Sequence, residues 1–201
     1  MKSLTVYMLR HGETAWNADN NRYCGRTDIE LTEKGLQQAQ TVRAQLEGIE
    51  FTGVYSSPLQ RAHTTAQIAS GQEVITDERL IEADFGTWEK KTKEEFIAED
   101  PTLWEAWMRD PATAKAGGTG ETGMDVVLRV DHFFTELLSK HESGNFMVVA
   151  HNGVNRLYMA YKLGMPLRNY RQLVQLNSAI TQFTLDGQGV LTLQFLNSKL
   201  R

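Results

Sequence analysis

The chain has 201 residues, of which 41% are hydrophobic, and a net charge of −4; that is enough apolar material for one core in a single domain spanning 1–201. No basic cluster marks a nucleic-acid or anionic-membrane partner, and no run approaches the roughly 20 apolar residues that span a bilayer. The single cysteine, Cys24, excludes an internal disulfide and fits a reducing cytoplasm.

The first element is an apolar, β-rich run from Leu4 to Leu9, read as a buried strand ended by Gly12. It is short and leads straight into Arg10-His11, so it reads as a core strand and not a signal segment. Thr32 caps a helix to Leu46 that carries Leu36, Ala39, Val42 and Leu46 at helical spacing. Gly53–Tyr55 forms a second strand. Ser57 is a good N-cap and Pro58 a good first residue for a helix running to about Ala69. A short strand follows over Glu73–Thr76, and then a carboxylate-bearing segment, Glu78-Arg79-Leu80-Ile81-Glu82-Ala83-Asp84.

Thr92-Lys93-Glu94-Glu95 has a capping-box pattern, and Asp100-Pro101 breaks the helix it opens before Trp104 and Trp107 continue in a further turn. Asp110–Gly123, with four glycines and a proline, reads as a mobile loop. Thr122 caps the next helix, striped by Met124, Val127, Val130, Phe134, Leu137 and Leu138. A third apolar strand, Asn145–Ala150, ends in His151-Asn152-Gly153 and enters a helix ending near Leu163-Gly164. Ala179–Leu185 and Val190–Leu196 close the sheet through an Asp186-Gly187 turn. Alternating strands and helices call for a three-layer α/β/α fold with a mostly parallel central sheet. The segment of about 89–123 reads as a small helical insertion, either packed on its tryptophans or serving as a lid that touches the leaving group.

Arg10 and His11 fall at the carboxyl end of a strand, where open α/β sheets bind ligands. Arg61 falls in the first turn of a helix, where backbone N–H groups favour an anion. His151 repeats the strand-end placement. Arginine forks hold an oxyanion while imidazole does chemistry on it. Leu-Arg-His-Gly-Glu-Thr, Ser-Ser-Pro-Leu-x-Arg-Ala, Glu-Arg-Leu-x-Glu and Ala-His-Asn-Gly, in that order, resemble the motifs of the histidine phosphatase superfamily, the phosphoglycerate mutase-like fold. The resemblance extends from Leu4 to about Phe195.

The resemblance implies a phosphomonoesterase acting on a small phosphorylated metabolite. It makes His11 the nucleophile that becomes phosphohistidine, and Arg10, Arg61 and His151 the groups that hold the phosphoryl. Glu82 becomes the proton donor, with Asp84 its rival, since strand-like alternation puts both on one side. Asn17 matches the family's phosphate-contacting asparagine. Asn152, Gly153, Cys24 and Gly25 are further binding candidates, with the Gly153 N–H assisting the phosphate. Asn152 departs from the commoner His-Gly. No cofactor is implied, and a homodimer is left open.

A two-histidine, one-carboxylate metal site (His11, Glu82, His151) is opposed by Arg10 and Arg61, which repel a cation. His63, His132, His141 and the run Lys90, Lys91, Lys93 read as solvated or partly packed. The rival enzyme is a cofactor-dependent mutase, because Arg22–Asp28 resembles the mutases' corresponding segment. Among the arginines the insertion carries only Arg109, too little basic character to hold a second phosphate. A silent phospholigand-binding protein has no need of the proton donor. Among phosphatases the size resembles α-ribazole and broad-specificity bacterial enzymes.

Overall fold

The structure, a computed structural model, describes residues 2–198. In chain order it contains β1 (Ser3–Arg10), α1 (Ala15–Ala18), α2 (Glu33–Gln45), β2 (Gly53–Ser56), α3 (Gln60–Ser70), β3 (Ile75–Thr76), α4 (Lys93–Glu99), α5 (Pro101–Arg109), α6 (Gly123–Lys140), β4 (Ser143–Ala150), α7 (Asn152–Lys162), β5 (Ile180–Asp186) and β6 (Leu191–Ser198). The six strands lie in the order β3-β2-β4-β1-β5-β6. β1, β2, β3 and β4 are mutually parallel, and β5 and β6 add antiparallel at one edge.

Strand alternation explains the layers. Val6 and Met8 of β1 and Phe146 and Val148 of β4 share a core with α6 and α7. Their neighbours Tyr7, Leu9, Met147 and Val149 share one with Val42 of α2 and Ala62, Ala66 and Ala69 of α3. Successive side chains of a strand point to opposite faces, so the two central strands are apolar throughout because helices cover both sides. This is the expected three-layer α/β/α arrangement.

Three local expectations change. Regular α3 begins at Gln60, not Pro58. Ser57 Oγ does accept the Leu59 N–H as a cap would, but the Gln60 N–H is taken by Asp28 Oδ1 at 2.9 Å, from the loop after α1. Second, the expected mobile loop Asp110–Gly123 is knitted in place. Ala116 N donates to Glu121 O, and Glu121 N donates to Asp84 O. A Cβ on Gly120 or Gly117 would lie 2.1 or 2.3 Å from the backbone oxygens of Asp84 and Phe85, so these glycines serve close backbone approach and not freedom. Third, the turn expected at Asp186-Gly187 is there but runs on over residues 187–190, with Asp186 Oδ1 accepting from Gln188 N and Val190 N.

The aromatics of the insertion extend the core that α6 and α7 form on one face of the sheet. Trp88 stacks on Phe96 at 4.7 Å and meets Trp107 edge-on, and Trp88 and Trp107 are each 1% exposed. Thr92 and Glu95 form the expected capping box. Asp100 ends α4 and caps α5.

Candidate active site

Two parallel neighbours bring the histidines together. β1 and β4 lie side by side with Arg10 opposite Ala150, and the next residue of each, His11 and His151, leaves the same end of the sheet. Their ring centroids are 5.1 Å apart. β2 flanks β4 with Ser56 opposite Val149, so α3 starts at that end too and delivers Arg61. Thr65 ties these pieces together: its Oγ1 donates to Arg61 O at 2.7 Å and accepts the Gly12 N–H at 2.9 Å.

His11 Nδ1 lies 2.7 Å from the Gly12 carbonyl. A carbonyl only accepts, so Nδ1 carries the proton and Nε2 keeps its lone pair. Burial first, then the Arg61 and Arg10 charges, push this imidazole well below the usual histidine range, so it is neutral. His151 is fully buried and depressed in the same way, by burial and then Arg61. Arg10 donates from Nη1 to Gln175 O at 2.9 Å. Burial lowers it to about 10, which still leaves a cation at neutral pH. Arg61 is 0% exposed and donates to Thr27 O and Gly25 O at 2.8 and 2.7 Å. Among the described residues, the buried side-chain atoms without a protein hydrogen-bond partner include Arg10 Nε, Arg61 Nε, both ring nitrogens of His151 and Asn152 Oδ1. Buried polar atoms are rarely left this way; the two arginine Nε–H groups and the protonated nitrogen of His151 are donors of the kind an oxyanion takes, whereas Asn152 Oδ1 can only accept.

Glu82 and Asp84 separate clearly. They lie on a non-regular segment, not a strand. Glu82 is 6% exposed, and its Oε1 accepts from Ala83 N and Val154 N while Oε2 accepts from Gly153 N at 3.3 Å. Burial raises its pKa above the usual carboxylate range despite those three donors. Asp84 instead accepts the Gly86 N–H at 2.8 Å and caps a turn. The Gly153 N–H, expected on the phosphate, is given to Glu82, because a helix N-terminus takes the nearest anion. A Cβ on Gly153 would sit 2.7 Å from Glu82 Oε1.

The cleft above these groups is lined by Arg10, His11, Asn17, Asn21, Arg22, Tyr23, Cys24, Glu82, Phe85, Asn152, Gly153, Arg156, Tyr170 and Arg171. Arg61 and His151 are both 0% exposed and are not among these lining residues; His151 lies behind His11 at 5.1 Å between ring centroids, and Gly25 is held through its carbonyl by Arg61. Asn17 Oδ1 accepts the Thr14 N–H and also an N–H from Asn177, whose side chain holds His11 O as well. Burial pushes the Cys24 thiol up, which argues against a nucleophile. None of the lining residues belongs to 89–123, so the insertion is not in direct contact with the cleft; it reaches it through Trp104, whose ring lies 5.0 Å from the Arg171 guanidinium. Arg156, Tyr170, Arg171 and Asn177 escaped sequence reasoning. Only Arg156 carries a signal, lying one turn after Asn152 on α7. His63, His132 and His141 lie outside the cleft lining.

A three-layer α/β/α fold with paired histidines and unpaired arginines at one end of its parallel strands defines an oxyanion-handling enzyme. The chain belongs to the histidine phosphatase superfamily, branch 1, whose model matches residues 6–198, and it is a phosphoric monoester hydrolase of that family. It is 32% identical over 166 residues to the adenosylcobalamin/alpha-ribazole phosphatase of Escherichia coli, covering 81% of both chains. It is 32% identical over 185 residues to a probable phosphoglycerate mutase of Enterobacter, covering 89% of this chain and 84% of that one. A solved phosphoserine phosphatase variant of Entamoeba histolytica, in complex with phosphoserine, superposes with a TM-score of 0.88 at 31% identity and 98% coverage of each chain. Among the described residues, no helix is long and apolar enough to cross a membrane.

Proposed function

We propose that the enzyme hydrolyses a small phosphorylated metabolite in two displacements through a phosphohistidine on His11. The observation that carries this is the neutral His11 with Nδ1 held by Gly12 O beside the unpaired donors of Arg10, Arg61 and His151. Arg10, Arg61 and His151 hold the phosphoryl oxygens and neutralise their charge, which is most of what phosphoryl transfer requires. His11 Nε2 attacks phosphorus as the ester P–O bond breaks, and Glu82 gives its proton to the departing oxygen. The dianion arriving beside Glu82 raises its proton affinity further. In the second step the Glu82 carboxylate takes a proton from water, the oxygen attacks phosphorus, and the P–N bond breaks. Inorganic phosphate leaves and both side chains return to their starting forms.

The test is a panel of phosphomonoesters scored by phosphate release. Phosphate is expected from simple esters with no added 2,3-bisphosphoglycerate. Interconversion of 2- and 3-phosphoglycerate much faster than phosphate release would place the enzyme with the mutases. The insertion contributes no cleft cation, but Arg156 and Arg171 supply two from elsewhere, so the measurement, and not insertion composition, separates the two.

Turnover is also expected to persist in EDTA, because arginines and histidine supply the positive charge. Among the described residues, no group of three His, Cys, Asp or Glu side chains is placed to hold a metal. Loss of activity on chelation, restored by zinc or magnesium, would overturn this.

A further inference from the structure

The cleft holds more cationic charge than one phosphoryl group uses. Arg22, Arg26, Arg79 and Arg129 each pair with a carboxylate within 4 Å. Among the described residues, Arg156 and Arg171 form no ion pair, although both line the cleft with Arg10 and His11. Arg156 uses Nε on Tyr170 O at 3.3 Å and has no other side-chain hydrogen bond among the described residues. Arg171 uses Nη1 on the Tyr23 hydroxyl at 3.2 Å. Each guanidinium lies over the Tyr170 ring, at 5.3 and 6.0 Å, and Trp104 supports Arg171 at 5.0 Å. Two like charges on one aromatic ring repel, and the Arg171 charge lowers Arg156 after burial has done so. Despite its burial, the tyrosines around Arg171 raise its own proton affinity, so the strain of the pair falls on Arg156, the guanidinium with free N–H groups facing the cleft.

Position fixes what an anion held there is attached to. Arg156 lies three residues beyond Gly153 on α7, on the same helical face and about 4.5 Å further along the axis. Gly153 in turn contacts Glu82, the group placed at the leaving oxygen. We infer that Arg156 and Arg171 form a second oxyanion subsite, so that the substrate is a phosphomonoester with a carboxylate or a second phosphate a few bonds from the ester oxygen. This rests on the phosphatase assignment of the inner site. Planar guanidinium forks suit such oxyanions better than a hydroxyl-bearing leaving group, and the Tyr23 and Tyr170 rings pre-set their geometry.

The test compares matched probes: 3-phosphoglycerate against glycerol 3-phosphate, which exchange a carboxylate for a hydroxymethyl, and 1,3-propanediol bisphosphate against 3-hydroxypropyl phosphate. The wild type is expected to favour at least one anionic probe over its neutral match by about tenfold or more in kcat/KM, and that ratio is expected to collapse to within about threefold in Arg156→Ala, Arg171→Ala and the double variant. Arg→Lys at each position is expected to restore part of the ratio, since charge returns without the fork. Which probe pair shows the preference distinguishes carboxylate from phosphate. If the arginines only brace the rings, both members of a pair fall together and the ratio stays, which overturns the proposal. A wild type with no anionic preference overturns it too. Calorimetric affinities of the same probes for His11→Ala give the same ratios without turnover. Absence of hydrolysis of every ester thus sinks the phosphatase assignment alone, while those ratios still decide the subsite. Should an alanine variant fail to fold, as read by its circular-dichroism melt, Arg171→Gln and Arg156→Gln carry the comparison.

Discussion

His11→Ala is expected to lose about a thousandfold or more in turnover of every phosphomonoester, the scale seen when a covalent nucleophile is removed. The wild type, quenched within the first turnover, is expected to carry acid-labile, base-stable phosphate, and the variant none. The size of the loss follows from the local geometry. Nδ1 is committed to Gly12 O, so Nε2 is the nitrogen that can attack, and no second side chain replaces it. His151 is the neighbouring imidazole at 5.1 Å between centroids, but it is 0% exposed and does not line the cleft, so it is not placed to stand in as the nucleophile. Cys24 is held protonated by burial. The side chain makes a single hydrogen bond, to Gly12 O, and the main-chain bond from His11 N to Ala150 O survives the truncation; a thermal melt of the variant separates loss of chemistry from the small cavity left beside His151. Turnover near that of the wild type would remove His11 from the mechanism.

Glu82→Gln is expected to cost about a hundredfold or more with an alkyl phosphate, within the span of general acid–base catalysis, and clearly less with p-nitrophenyl phosphate. An alkoxide is a poor leaving group and needs the proton; p-nitrophenolate departs without it. The pH dependence carries a sign. Burial raises Glu82 above the ordinary carboxylate range, so the acid form persists to higher pH than usual and is lost as pH rises through that value. The rate with alkyl esters is therefore expected to fall on the alkaline side, and Glu82→Gln is expected to abolish that limb. Glutamine keeps one acceptor oxygen, enough for the Ala83 and Val154 N–H groups, and gives up only the longer 3.3 Å bond from the Gly153 N–H. Asp84→Asn is expected to affect both substrates mildly and alike, because Asp84 spends its carboxylate on the Gly86 N–H. If the leaving-group-dependent loss appears at Asp84 and not at Glu82, the acid lies two residues away from its assignment.

Local patterning determined a good deal here. The apolar runs ending in Arg10-His11 and in Ala150-His151, the cap residues Thr32, Thr92 and Thr122, and the proline at the start of α5 act within a few residues of themselves, so their effect is legible in order along the chain. Strand alternation then forces a sheet covered on both faces, and parallel pairing carries both histidines to one end. Tertiary contacts decided the rest. Glu82 and Asp84 are two residues apart and chemically alike; Val154 and Gly153, more than seventy residues on, choose between them by offering N–H groups to one. The glycines of Asp110–Gly123 look like freedom in sequence and serve close packing against Asp84 and Phe85 in space. The outer arginines come from α7 and the turn after it, not from the insertion, because a cleft is walled by whatever the fold brings to its rim. Cations gathered from positions 10, 61, 156 and 171 have no common local pattern, and their lack of an ion pair among the described residues is a property of the folded neighbourhood alone.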